Sequence, residues 1–122
     1  MRSGQFVVSL IVLGSAVIEA QAECTVRGGR FFVAQNDTVE YSATVTGDGK
    51  CERDFSTDRS TFKSTTIAKR PSNGAISTNG VSNFKYAARA GFKGKDSFVV
   101  KVCGEGLAGS GCSTLNYEVD VQ

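Results

Sequence analysis

An alternation of apolar and polar residues, repeated in three segments and broken only at Val99, is the feature that most constrains the fold of this 122-residue chain. Over residues 38–46, apolar side chains occupy every second position from Val39 to Val45, and polar side chains stand between them. The same two-residue period returns at Phe98–Val102 and at Leu115–Val121. Successive side chains of a β-strand point to opposite faces, so each segment is predicted to be a strand with one buried face.

Four shorter strands are predicted between turn signals that are rich in glycine, asparagine and aspartate. They lie at residues 30–34, 62–68, 75–78 and 83–87. From residue 23 onward, the sequence lacks a helical apolar period of useful length. Seven short strands in a chain of this size predict an all-β fold, a sandwich of antiparallel strands.

The first 22 residues have the features of a secretory signal peptide. Arg2 precedes an apolar run from Phe6 to Ile18, and Ala20-Gln21-Ala22 fits the small-x-small pattern of a signal peptidase site. The alternative is an uncleaved anchor, but the run is shorter than the roughly 20 residues that span a bilayer. We predict cleavage before Glu23, one mature domain of residues 23–122, and no membrane span after cleavage.

The four cysteines predict a disulfide framework. They are Cys24, Cys51, Cys103 and Cys112, an even number in a small exported chain. A zinc site is not favoured, because the chain has no histidine and no C-x-x-C pair. Counting the alternation along the last two strands puts Cys103 and Cys112 on the outward face, at the two ends of a loop of residues 104–111. We therefore predict the pair Cys103–Cys112, which leaves Cys24–Cys51.

Three motifs follow one another in the second half of the chain: Pro71-Ser72-Asn73-Gly74, Phe84-Lys85-Tyr86, and the run from Gly91 to Phe98 with the pattern G-F-x-G-x-D-x-F. With these three motifs, the segment from Lys69 to Val121 resembles the bacterial immunoglobulin-like, cadherin-like repeats of large surface and secreted proteins. The resemblance implies an immunoglobulin-like β-sandwich in a surface or secreted protein. It implies little about the ligand, because such folds carry many functions.

The third motif is predicted to form a structural corner. Gly91 and Gly94 permit backbone turns that other residues resist, and Phe92 and Phe98 would close the end of the core. Asp96 would accept backbone N–H groups inside the turn. The alternative role of Asp96 is calcium binding, as in cadherins. One isolated carboxylate does not supply the six or more oxygen atoms that calcium needs.

Charge is distributed unevenly along the chain. Residues 59–101 carry nine basic side chains and a single acidic one, Asp96, whereas both flanking segments are acidic. We predict a basic face for anionic glycans or an acidic protein. Its candidate residues are Lys85, Arg89, Lys93, Lys95 and Lys101. The alternative is a solvated surface on which acidic neighbours lie alongside these cations.

The acidic residues around Cys51 are predicted to lie in a solvated loop. They are Asp48, Glu52, Asp54 and Asp58, and basic residues stand between them. Their spacing misses the D-x-D-x-D-G pattern of a calcium loop. No metal site or cofactor is therefore predicted.

The absence of histidine removes the commonest general base, and no catalytic motif is present. We predict a non-enzymatic binding or adhesion module that is periplasmic, on the cell surface or extracellular. Its partner would be a protein or an anionic polysaccharide, not a nucleic acid. The glycine-rich loop of residues 104–111, with Leu107, is a candidate contact site. One alternative is a structural or accessory envelope subunit that pairs by strand addition at an open edge; another is a small hydrolase.

Overall fold

Eight β-strands and one short 3-10 helix make up the fold in a computed structural model, which describes residues 23–55 and 60–122. The strands are β1 (Glu23–Gly28), β2 (Thr38–Thr46), β3 (Lys50–Asp54), β4 (Thr61–Lys69), β5 (Gly74–Ser77), β6 (Asn83–Ala88), β7 (Gly94–Gly106) and β8 (Gly109–Val121). The 3-10 helix, Val33–Gln35, lies between β1 and β2. The predicted signal peptide lies outside the described residues. Within them, no helix has the length and apolar character needed to cross a membrane.

The strands form two sheets that face each other across an aromatic core. One sheet has five strands in the order β1-β2-β8-β7-β4, and the other has three in the order β3-β6-β5. Phe84 of β6 packs against Phe98 of β7 and Tyr117 of β8, with ring centroids 5.2 and 5.0 Å apart. The prediction of an all-β sandwich is confirmed.

The buried side chains are those that the alternation placed on the inward face. Tyr41, Tyr117 and Phe98 lie opposite one another across β2, β8 and β7, and their rings stack at 4.8 and 5.0 Å. Each large aromatic ring removed from water contributes roughly 2–3 kcal/mol to folding. This stacked row is therefore a main source of the stability of the five-stranded sheet.

The prediction that all strands are antiparallel is wrong for one pair. β2 runs parallel to β8, with Val39 opposite Leu115 and Val45 opposite Val121. Parallel neighbours cannot be joined by a short hairpin, so the chain must leave the sheet between them. It does so after β2, when it crosses to the three-stranded sheet as β3, and it returns to β2 only with its last strand.

The first strand lies earlier in the chain than predicted. The prediction of a strand at residues 30–34 is wrong. The first strand is β1, at Glu23–Gly28, and the 3-10 helix begins at Val33. The helix ends at Gln35 and is followed by Asn36, which has a left-handed backbone (φ 54°). The Asp37 carboxylate accepts the backbone N–H of Phe32 at 2.9 Å. These turn interactions prevent the apolar residues of this segment from forming a strand.

The predicted loop around Cys51 is also a strand. β3 pairs with β6 over five residues, from Lys50 opposite Ala87 to Asp54 opposite Asn83. It forms one edge of its sheet, where water covers one side, and four of its five side chains are charged. Such an edge strand lacks the apolar alternation by which strands are detected. With β1 and β3, the described residues contain eight strands, where seven were predicted.

The glycine-rich loop of residues 104–111 does not exist as a loop. β7 and β8 continue through it and pair as far as Gly106 opposite Gly109, so that only Leu107 and Ala108 form the turn. Gly104 and Gly111 face each other in this extension. A β-carbon on either one would collide with a backbone oxygen of a neighbouring segment. These glycines serve close backbone packing and not loop flexibility.

Two disulfides are present, and their pairing is as predicted: Cys103–Cys112 from strand parity, and Cys24–Cys51 as the remaining pair. Cys103 lies directly opposite Cys112 in the β7–β8 ladder, and their sulfurs are bonded. Cys24 of β1 is bonded to Cys51 of β3. This second disulfide joins the edge of one sheet to the edge of the other.

Candidate functional site

Asp96, near the start of β7, organises one end of the sandwich. Its carboxylate accepts the backbone N–H groups of Ser72 at 3.0 Å, Asn73 at 3.2 Å and Ser97 at 3.0 Å. It also accepts the hydroxyl of Tyr86 at 2.8 Å. The carboxylate thus ties the β4–β5 turn and β6 to β7.

These four donors support the clamp role and not the calcium role of Asp96. The residue is only 8% exposed, so its charge depends on these donors in place of water. Among the described residues, no group of three or more histidine, cysteine, aspartate or glutamate side chains could hold a metal ion. Burial raises the pKa of Tyr86, and its hydrogen bond to Asp96 raises it further, so the hydroxyl remains a donor at neutral pH.

Arg89 holds the loop between β6 and β7 against the β4–β5 turn. The Arg89 guanidinium lies 5.3 Å from the centre of the Phe92 ring, and its Nη1 donates to Asn73 Oδ1 at 3.2 Å. The backbone N–H of Arg89 donates to the Asn73 carbonyl at 2.7 Å. Gly91, at φ 79°, provides the left-handed turn that brings Phe92 back under Arg89.

Five cations surround this organised end, and we call them the basic corner. They are Lys69, Arg70, Arg89, Lys93 and Lys95. Lys69 ends β4 and Arg70 begins the turn that Asp96 holds, while Lys93 and Lys95 flank the start of β7. The β2–β3 turn at the same end carries Asp48 and Lys50, which pair with each other at 3.9 Å.

Most side chains of the basic corner contact neutral oxygen atoms. Arg70 Nη1 donates to the Ile76 carbonyl at 3.3 Å. Lys93 Nζ donates at 2.8 Å to the main-chain oxygen of Gln122, the last residue of the sequence, so this contact is not counted among the neutral ones. Lys69 Nζ lies 3.5 Å from Ser97 Oγ. Lys95, in contrast, pairs with Asp120 at 3.4 Å. The cations are therefore oriented without being fully neutralised.

The other two predicted basic residues lie elsewhere. Lys85 is on the outer face of the three-stranded sheet, where its Nζ lies 3.9 Å from Glu52. Lys101 is on the outer face of the five-stranded sheet, between Thr66 and Thr114. These are opposite faces of the sandwich, so the prediction of one basic face containing both residues is wrong. Alternation specified that each points outward but not to which sheet it belongs.

Leu107 lies at the far end of the molecule from the basic corner. It is at the tip of the β7–β8 hairpin and is 84% exposed. Beside this hairpin, a shallow depression of about 390 Å³ lies over the Cys103–Cys112 disulfide. Lys63 and Glu105, which pair at 3.5 Å, form part of its rim. The six predicted binding residues therefore occupy four separate places, and only Arg89, Lys93 and Lys95 lie together.

Tyr41 and Tyr117 are the other hydroxyl-bearing residues with shifted acidity. Burial raises the pKa of each, and the charge on Arg53 partly offsets this rise. The Tyr41 hydroxyl donates to the Gly29 carbonyl at 2.7 Å. Both phenols are therefore protonated at neutral pH.

Lys69 and Arg70 are members of the basic corner that the predicted set omitted. Both precede Pro71, the first residue of the P-x-x-G turn. Two features of the sequence could have identified them as corner residues. They lie next to the P-x-x-G turn, and Asp96 of the corner motif can accept hydrogen bonds from that turn. Recognising them required knowing that the β4–β5 turn and the β6–β7 loop meet at Asp96.

A sequence profile of the bacterial Ig domain matches residues 25–119, which extend from β1 almost to the end of β8. No curated protein matched the chain.

Proposed function

Because this chain belongs to the bacterial Ig domain family, we propose that it is an exported, non-enzymatic binding module that recognises an anionic partner through its basic corner. Two disulfides support a location in the periplasm, on the cell surface or outside the cell, where an oxidising environment preserves them. The family supports an adhesion-type role, and the charge of the corner supports the class of partner.

The observation that carries this proposal is the imbalance of charge at the basic corner. Of its five cations, only Lys95 makes a salt bridge to the carboxylate side chain of another described residue. Asp96 lies among them, but it is buried and already accepts four hydrogen bonds. On the flat faces, Lys63 and Lys85 each pair with a glutamate. Lys101 makes no salt bridge to a described residue either, but it lies alone between two threonines, whereas the cations of the basic corner lie together.

The corner is also suited to binding because part of it is already ordered. Phe92 and Asn73 hold the plane of the Arg89 guanidinium, so less side-chain entropy is lost when a carboxylate or sulfate binds there. The large exposed apolar side chains of the described residues, Phe32, Val81 and Leu107, all lie toward the opposite end. Recognition at the corner would thus be electrostatic and would weaken with salt.

The test compares two triple variants that remove the same charge. K69Q/K93Q/K95Q removes three cations from the basic corner, and K63Q/K85Q/K101Q removes three from the sheet faces. Binding to heparin and to polyglutamate is measured by titration at low and at physiological ionic strength. We expect the corner variant to bind at least about tenfold more weakly than the face variant, because local potential and not net charge attracts the polyanion.

Three results would contradict the proposal. Equal weakening by both triple variants would mean that net charge alone governs binding. Binding unaffected by salt would exclude an electrostatic site, and no binding to either polyanion at low ionic strength would remove the proposed class of partner. Circular dichroism of each variant serves as the folding control.

A further inference from the structure

Three of the four sheet edges carry features that prevent pairing with another strand. β4 has register irregularities at Phe62/Ser64 and at Ile67/Lys69, and it displays Lys63 and Lys69. β5 has only four residues. Four of the five residues of β3 are charged. Bulges, lysines, short length and dense charge are the usual means by which edge strands avoid association.

β1 has none of these features to the same degree. It pairs with β2 in unbroken register over six residues, from Glu23 opposite Thr46 to Gly28 opposite Tyr41. It contains neither proline nor lysine, and no strand among the described residues pairs with its other side. Glu23, Thr25 and Arg27 are exposed, whereas Cys24 and Val26 are half-buried against the core. This edge can accept another strand.

We propose that β1 pairs antiparallel with β1 of a second copy of this chain, with Thr25 on the two-fold axis. Glu23 then lies opposite Arg27 of the second copy, and Arg27 lies opposite its Glu23. On the other face, Cys24 lies opposite Val26 of the second copy, so an apolar side chain meets an apolar one. The two five-stranded sheets become one sheet of ten strands.

Charge and face together select this register. A shift by one residue would place exposed side chains of one copy opposite half-buried ones of the other. A shift by two residues in either direction would preserve the faces but separate both Glu23–Arg27 pairs. Opposite charges directly across antiparallel strands are stabilising and like charges are destabilising. The centred register alone satisfies both requirements.

This inference goes beyond the proposed function and does not depend on it. β1 is one edge of the five-stranded sheet, while Lys93 and Lys95 of the basic corner flank the start of β7, and β2 and β8 lie between β7 and β1. Pairing through β1 would therefore leave the basic corner of each copy accessible. Loss of polyanion binding and loss of self-association can be measured separately.

The first experiment is cysteine cross-linking of the exported protein, with its N-terminus verified by mass spectrometry. T25C should form a disulfide-linked dimer under mild oxidation, because the two introduced thiols face each other at the axis. T44C is the matched control, since Thr44 is the exposed β2 residue directly beside Thr25. A T25C dimer that forms no faster than the T44C dimer would overturn the proposal. Peptide mapping confirms that the native disulfides are retained.

The second experiment tests the charge pairs by sedimentation. In R27E, Glu23 of each copy lies opposite the introduced glutamate at position 27 of the other copy, at both ends of the pairing. E23R/R27E restores opposite charges there, with the two signs exchanged. We expect R27E to raise the dimer dissociation constant by roughly tenfold and the double variant to recover most of that loss. A wild-type protein that is monomeric at high micromolar concentration, or a double variant as weak as R27E, would refute the inference.

Discussion

At the scale of single residues, Asp96 determines the shape of the corner. A buried carboxylate is costly unless hydrogen bonds replace its hydration, and here three backbone N–H groups and one phenol do so. In return, each donor is fixed at a defined position relative to β7. The turn that carries Arg70 and the strand that leads to Arg89 are thereby brought together.

Replacement of Asp96 by asparagine should be strongly destabilising. The amide nitrogen that D96N introduces cannot accept the hydrogen bonds that one carboxylate oxygen receives from Asn73 and Tyr86. We expect the free energy of unfolding to fall by about 2–4 kcal/mol in urea denaturation. The control is D120N, which removes an exposed partner of Lys95 and should cost no more than about 1 kcal/mol. Equal losses in the two variants would disprove the clamp role.

At the scale of elements, the β7–β8 hairpin is shaped by close contact with its neighbours. Just before the start of β2, the 3-10 turn lies beside β8, where Asn36 Oδ1 accepts the Cys112 N–H at 3.0 Å. The Asp37 carbonyl accepts the Thr114 N–H at 2.7 Å. Gly111 allows this approach because it has no side chain. The extended hairpin is thus supported by backbone packing as well as by its disulfide.

A methyl group at Gly111 should disrupt this contact. The β-carbon of G111A would collide with the Val33 carbonyl oxygen and approach Asn36 Oδ1 to 2.8 Å. We expect a loss of about 1–3 kcal/mol in the free energy of unfolding, as for other overpacked sites. G29A is the control, since no atom lies within 4 Å of its added β-carbon, and it should change stability by less than about 0.5 kcal/mol. If G111A were as stable as G29A, the packing role would be wrong.

At the scale of the whole molecule, the two sheets are held together by the aromatic core and by one covalent bond. Phe84 and Tyr86 pack across the sandwich on Phe98. Cys24–Cys51 joins the sheet edges on the side of β1. The other disulfide links strands that are already paired along their whole length. The two bonds therefore have different structural importance.

Removal of Cys24–Cys51 should cost more than removal of Cys103–Cys112. Their sequence separations are 27 and 9 residues. Loop-closure entropy then predicts losses of about 3.5 and about 2.6 kcal/mol for the double alanine variants. The loss of packing at buried Cys51 adds to the first value. Equilibrium unfolding in guanidinium chloride measures both, and a larger loss for C103A/C112A would contradict this order.

The sequence by itself determined what depends on neighbouring residues. Alternation identified the inward side chains of β2, β7 and β8, and the same parity placed Cys103 and Cys112 on the outward face. The corner motif predicted that Asp96 accepts N–H groups of its own turn; this holds for Ser97, whereas Ser72 and Asn73 donate from the distant β4–β5 turn. Each of these follows from a local rule, because a strand has a side-chain period of two wherever it lies in a fold.

Only the tertiary structure decided which strands became neighbours. The parallel pairing of β2 with β8, the charged edge strand β3, and the opposite faces of Lys85 and Lys101 all depend on contacts between distant segments. Alternation tells which residues face inward, but either sheet of a sandwich satisfies that pattern. Long-range packing resolves this ambiguity, since a strand's sheet is set by the partners that cover its buried face.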